Sequence, residues 1–221
     1  MAGSLIAKKR VAIIISGRGS NMMALVAAAK DPAYPAEVVT VVSNRPDAAG
    51  LAWAKAQGLP TRVIDHNARP TREAFEEELG AHLHDVRAEL VCLAGFMRVL
   101  TASFVDRWAG RMLNIHPSLL PAFPGLDTHA RALAAGVRIS GCTVHYVVPQ
   151  MDAGPIIAQA AVAVAEADTP ESLAARVLEA EHKLYPFALR LVSEGTARLE
   201  RGRVIMSAGV YQPGTLFSPP L

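Results

Sequence analysis

The sequence predicts an α/β fold: a doubly wound, mostly parallel sheet in a single domain. Three observations carry that expectation. Short β-branched runs alternate with helical patterns. Each run stops at Gly, Pro or a polar capping residue. No Gly/Ser-rich linker or internal repeat divides the 221 residues, a length that fills one α/β domain with a full core.

Val11 to Ser16 reads as the first strand, followed by a helix from Asn21. Val38 to Val42 and a helix from Ala48 repeat the unit, with Gly58 placed to end that helix. Thr61 to Ile64 is the third strand; Thr71, behind Pro70, is the N-cap of a helix opening at Arg72. Leu90 to Leu93, a short helix around Ala102 to Trp108 and the strand Met112 to His116 continue the rhythm. Pro117, Pro121, Pro124 and Gly125 then exclude a helix or a central strand, and a long shaped loop is expected. It follows a strand's carboxyl end directly, where open α/β sheets bind ligands. Gly141 to Val148 and Pro155 to Val164 read as two more strands around the loop Pro149 to Gly154. A long helix runs from Pro170 to about Ser193, and Val204 to Ser207 is expected as a closing edge strand. The domain is placed at 10–207, between a flexible N-terminus (1–9) and a C-terminal tail (208–221).

Composition narrows the function. The chain is 51% hydrophobic and 19% charged, ordinary globular usage, with a formal charge of +2. Lys8, Lys9 and Arg10 form the only short basic run, so no strong grip on nucleic acid is indicated. The longest apolar stretch, around Pro155 to Ala165, is split by Gln159 and falls short of the roughly 18 residues a membrane span needs. The apolar run behind the N-terminal basic residues passes straight into a Gly-rich turn, unlike a signal peptide. Cys92 and Cys142 lie in separate apolar segments, which suits buried free thiols in a reducing compartment. A cytoplasmic location is expected.

Chemistry concentrates at three places. Gly17, Arg18, Gly19, Ser20 and Asn21 join the first strand to a helix N-terminus, whose unpaired N–H groups and dipole suit a phosphate. Met22 stands where a dinucleotide motif needs its third glycine, and no Lys-Ser/Thr pair follows, so a phosphate monoester fits better than a dinucleotide. A plain turn whose glycines allow φ > 0 is the other reading. Second, Asn114 and His116 are two apart on a strand and share a face, offering an amide donor for an oxyanion beside a group that moves a proton. A hydrogen-bonded histidine at a strand end accounts for the segment equally well. Third, Asp152 lies in a loop between apolar strands, where a simple turn is the plainer account unless the carboxylate meets His116. His82 and His84 diverge on a helix, His145 reads as a core residue or one behind the site, and His129 either lines the site or starts a helix. No cluster has metal-ligand spacing, so no metal is expected.

Taken in order, ISGRGSN (15–21), LAGFMRVL (93–100), LNIHPSLLP (113–121), Phe123, Pro124, Gly125 and DAGPI (152–156) resemble the phosphoribosylglycinamide formyltransferases, folate-dependent enzymes of purine synthesis. The resemblance runs over about residues 10 to 195. It implies the Rossmann-like formyltransferase fold, with 10-formyltetrahydrofolate as co-substrate and glycinamide ribonucleotide as acceptor. Asn114, His116 and Asp152 match the family's catalytic positions. Gly19, Ser20 and Asn21 match the phosphate turn, and Glu181 a ribose contact. Arg72, Met97, Arg98, Val99, Leu100 and Asn114 match folate contacts, and Tyr146 to Met151 the loop that embraces the pterin. Leu178, Asp127 and Ala122 depart from residues frequent in relatives: a polar residue, His and Lys. NIHPSLLP is shared with methionyl-tRNA formyltransferases and formyltetrahydrofolate hydrolases, so tRNA or water as acceptor are the alternatives, beside a binder that has lost catalysis. The turn at Gly19 to Asn21 points to the small phosphoribosyl substrate. Small molecules are the expected partners, without nucleic acid or membrane, and monomer and dimer both stay open.

Overall fold

The computed structural model describes residues 7–207 and Ser218. Five parallel strands form one side of a seven-stranded sheet ordered β3-β2-β1-β4-β5-β6-β7: β1 Lys9–Ile15, β2 Ala36–Ser43, β3 Thr61–Val63, β4 Leu90–Leu93 and β5 Met112–His116. The last two, β6 Ile139–Tyr146 and β7 Ile156–Ala163, run antiparallel. The expected doubly wound, mostly parallel sheet is thus present. Side chains alternate along β1: Val11, Ile13 and Ile15 face one core, Ala12 and Ile14 the other. Helices α1 Ser20–Ala29, α2 Ala49–Ala56 and α6 Pro170–Ser193 cover the first face. Helices α3 Arg72–Asp85 and α4 Ala102–Arg107 cover the second. With both faces buried, the strands need continuous apolar runs, which explains their legibility.

Local chemistry sets the ends of these elements. Thr71 accepts from Ala74 N–H and caps α3, and Gly58 takes φ +75° just past α2. Thr169 and Ser172 form a reciprocal capping box at the start of α6, with Pro170 in the first turn. Pro186 lies inside α6 and removes one backbone donor there. Tyr185, fully buried beside it, donates to the carbonyls of Leu93 and Leu113 and ties the helix to β4 and β5.

Several expectations need correction. Val204 to Ser207 does not close the main sheet: β9 Arg203–Met206 pairs with β8 Ala197–Glu200 in a separate hairpin. Arg201 and Gly202 both take positive φ, so a tight two-residue turn returns the chain to its nearest preceding strand. The Pro-rich stretch is loop only to Asp127, after which α5 Thr128–Ala134 forms. β6 starts at Ile139 and stops at Tyr146, earlier than expected at both ends. A single 3₁₀ turn at His66–Ala68, held by Asp65 accepting from Asn67 N–H, was also unforeseen. Lys9, assigned to the flexible terminus, opens β1 and pairs with Ala36 of β2. Residues 1–6 of that segment, and the tail 208–221 apart from Ser218, lie outside the described residues.

Candidate active site

Antiparallel pairing of β5 with β6 sets Asn114 opposite His145, and His116 opposite Thr143. Leu113 and Ile115 point into the core, which turns Asn114 and His116 together to the other side, as their spacing predicts. His145 Nδ1 lies 2.9 Å from the Tyr146 carbonyl and must donate there, leaving Nε2 to accept from Asn114 Nδ2 at 3.3 Å. Burial pushes the His145 pKa down, which favours this neutral ring.

Asp152 reaches the pair from the β6–β7 loop. Its Oδ2 is 3.4 Å from His116 Nδ1 and accepts from Gly125 N–H at 2.8 Å, and its Oδ1 is 3.9 Å from His145 Nε2. His116 Nε2 faces the Phe123 carbonyl at 3.0 Å. Both imidazole nitrogens therefore face oxygen acceptors. Gly154 passes so close to β6 that a Cβ there would overlap the Tyr146 carbonyl, and this contact fixes the loop that carries Asp152. The Asp152 side chain itself is 11% exposed. Of the two sequence readings of His145, a core residue or one behind the site, the β5–β6 register shows the second, and nothing in the sequence reveals that register. His129, the second residue of α5, is half-buried, and the charge of His116 adds to burial in lowering its pKa.

The glycine turn forms a second group. Gly19 adopts φ +70° at the N-cap of α1, and the first helical bond runs from Met23 N–H to its carbonyl. The N–H groups of Ser20, Asn21 and Met22 precede that bond and have no intrahelical acceptor. Asn21, buried, donates through Nδ2 to Glu181 Oε2 at 2.6 Å across α1 and α6. Its Oδ1 is buried with no hydrogen-bond partner among the described residues. Burial raises the Glu181 pKa, opposed by the Asn21 hydrogen bond. Leu178 is half-buried three residues before Glu181.

The residues matched to folate contacts sit on α3 and the β4–α4 connection. Arg72 opens α3, exposed. Met97 and Val99 are exposed, 71% and 52%, whereas Leu100 is buried in the second core and Arg98 lies over the Phe75 ring. Met97 N–H donates to Ser16 Oγ, which donates in turn to Asn44 Oδ1. The segment 97–100 is thereby fastened to the strand end that launches the glycine turn. A cleft of about 680 Å³, with Ser16, Gly17, Asn44, Gly95 and Met97 in its lining, opens beside this network. In the loop matched to the pterin, Tyr146 is buried and Met151 exposed. Asp127 takes φ +56° and precedes α5 without capping it through its side chain, and Ala122 is exposed.

Among the described residues no group of three His, Cys, Asp or Glu is arranged to hold a metal ion. A doubly wound sheet thus brings an amide, an imidazole and a carboxylate together at the end of β5, the α/β site class suited to moving a proton beside a developing oxyanion. A family model described as formyl transferase matches residues 9–189, and the phosphoribosylglycinamide formyltransferase of Escherichia coli (strain K12) is 41% identical over 189 residues, 86% of this chain and 89% of its own length. The chain belongs to the formyl transferase family, in its phosphoribosylglycinamide formyltransferase branch. The crystal structure of phosphoribosylglycinamide formyltransferase from Brucella melitensis is similar at a TM-score of 0.82 and 50% identity, covering 90% of this chain and 100% of that one. The trifunctional purine biosynthetic protein adenosine-3 of Bos taurus is 50% identical over 198 residues, 89% of this chain. The chain spans 20% of that relative's length.

Proposed function

We propose that this chain transfers the formyl group of 10-formyltetrahydrofolate to the amine of glycinamide ribonucleotide, a step of de novo purine biosynthesis. The observation that carries the reading is the placement of His116 Nδ1 3.4 Å from Asp152 Oδ2, with Asn114 held beside it by His145. The substrate amine attacks the formyl carbon, and the carbonyl oxygen becomes an oxyanion within reach of the Asn114 amide and the His116 ring. Removing one such donor typically costs about 100- to 1,000-fold in rate. The bond from the formyl carbon to N10 then breaks as His116 passes a proton to N10, and the proton shed by the new amide nitrogen restores it. Asp152 compensates the imidazolium charge before the ring gives up its proton and again once the proton is restored. No covalent bond to the protein is needed.

Gly19, Ser20 and Asn21 receive the phosphate on the N-terminus of α1. Glu181 and the unpartnered Asn21 Oδ1 accept from the ribose hydroxyls. Arg72 pairs with a carboxylate of the folate, the segment Met97, Arg98, Val99 and Leu100 lines its path, and Tyr146 to Met151 close on the pterin. Small molecules are thus its partners, and the buried free thiols Cys92 and Cys142 suit the reducing cytoplasm. Incubating the pure protein with 10-formyltetrahydrofolate and glycinamide ribonucleotide tests the reading: tetrahydrofolate and formylated ribonucleotide must appear together. Formate released at full speed without the amine would mean a hydrolase instead.

A further inference from the structure

Glu76 is a charged side chain only 2% exposed, inside the apolar layer between α3 and the sheet. A carboxylate so placed needs compensation, and one residue supplies it: Thr101 donates to it through its backbone N–H at 2.7 Å and through its hydroxyl. The Thr101 hydroxyl oxygen also accepts from Phe104 N–H and caps α4. Thr101 directly follows the segment 97–100, and Glu76 lies one helical turn beyond Arg72. Two further contacts join the same pair of elements. Phe75 stacks on Phe96 with centroids 6.5 Å apart, and the Arg98 guanidinium lies 5.5 Å from the Phe75 ring centroid. Among these contacts Glu76 alone grips the connection by its backbone, holding the Thr101 end of the segment whose Met97 end is held by Ser16 Oγ.

From this geometry we infer that Glu76 is a positioning residue for the folate co-substrate: by clamping Thr101 it holds the segment 97–100 at a fixed distance from Arg72. The inference rests on the folate assignment above. It separates the two substrates, because the ribonucleotide elements, α1 and α6, make no use of the clamp.

The test is direct binding, read without turnover. Fluorescence titration of the full chain with 10-formyltetrahydrofolate comes first, then the same titration of Glu76→Gln, which keeps the volume but loses one acceptor. Folate affinity should fall about tenfold, the scale of one charged hydrogen bond. The KM for glycinamide ribonucleotide should stay within twofold. Thr101→Val, which keeps the N–H and removes only the hydroxyl, serves if Glu76→Gln does not fold, and should show a smaller loss in the same direction. Glu76→Asp should recover part of the affinity. Unchanged folate binding in a folded variant, or equal loss for both substrates, overturns the inference and leaves the function standing. A wild-type chain that binds no folate overturns both.

Discussion

The side-chain amide of Asn114 donates to His145 Nε2 across the β5–β6 pair, and His145 is fixed as an acceptor by its own bond to the Tyr146 carbonyl. The oxygen and the remaining N–H of that amide are thereby assigned their directions. A donor that must meet a developing oxyanion is useful only if it is already aimed, and His145 does the aiming.

His145→Ala should therefore lower kcat far more than it raises either KM, since the buried ring acts through Asn114. A misdirected group can lose on the order of 100-fold in rate. Steady-state kinetics varying each substrate in turn decides the matter; an unchanged kcat would remove His145 from the machinery. His145→Gln, whose amide oxygen can accept, should recover part of the rate.

The pH profile follows from the same ring. Burial, seconded by the nearby His116, lowers the His145 pKa against the opposing Tyr146 hydrogen bond and Asp152 charge. The unfolded chain then binds this proton more readily than the native one, so stability from the neutral ring is full above the ordinary value of 6.5 and is lost as pH falls through the depressed one. Protonated Nε2 would also repel the Asn114 N–H. Tm should begin to fall on acidification below about pH 6.5, activity only as pH falls further through the depressed His145 value, and the acid limb of kcat should change shape in His145→Gln. An identical limb in that variant would assign the titration to another group.

Asp152→Asn should fold normally and lose about 100- to 10,000-fold in turnover. Asp152 takes φ +52°, a conformation that asparagine also tolerates, and the amide oxygen can still accept from Gly125 N–H. What is lost is the negative charge 3.4 Å from His116 Nδ1. Near-normal kcat with an intact Tm would exclude the carboxylate from the reaction.

How far the sequence discloses this machinery depends on whether a feature is local. The parallel strands are legible because burial on both faces demands unbroken apolar runs, and Thr71, Gly58 and Pro170 mark helix ends through contacts with near neighbours. The pairing of Asn114 with His116 follows from a period of two. By contrast, the pairing of Asn114 with His145 depends on register between strands 31 residues apart, and the Asn21–Glu181 bond joins residues 160 apart. The family resemblance placed Asn21 and Glu181 on one substrate; periodicity could not. The hairpin β8–β9 was missed because Arg201 carries no sign that it will take φ > 0. Glu76 reads as one of several helix acids, and only the fold shows it buried.

Glu181→Gln should raise stability and abolish much of the ribonucleotide affinity. Burial raises the Glu181 pKa, so its ionised form costs stability once pH exceeds the ordinary carboxylate value of 4.5 and approaches the raised one. A neutral amide escapes that penalty, and Asn21 can turn its unpartnered Oδ1 toward the new N–H. Calorimetry of the free protein at neutral pH should show a higher Tm than wild type, with a raised KM for glycinamide ribonucleotide and an unmoved KM for folate. A lower Tm would mean that the carboxylate is a structural anchor rather than a ligand-binding group held at a cost.

Gly19→Val tests the phosphate turn. Gly19 holds φ +70°, which a β-branched residue adopts only under strain, and its Cβ would stand 3.0 Å from Met22 Cε. The substitution therefore shifts the first turn of α1, where the N–H groups of Ser20, Asn21 and Met22 converge. If those groups hold the phosphate, losing one charge-assisted bond raises the KM for the ribonucleotide by roughly ten- to a hundredfold. Folate binding, seated on α3 and the segment 97–100, should not move. Ribose 5-phosphate should compete with the acceptor in the wild type and lose that ability in the variant. A general fall in Tm with equal loss of both substrates would reduce Gly19 to a turn residue. Continued competition by ribose 5-phosphate in a folded variant would place the phosphate elsewhere in the cleft.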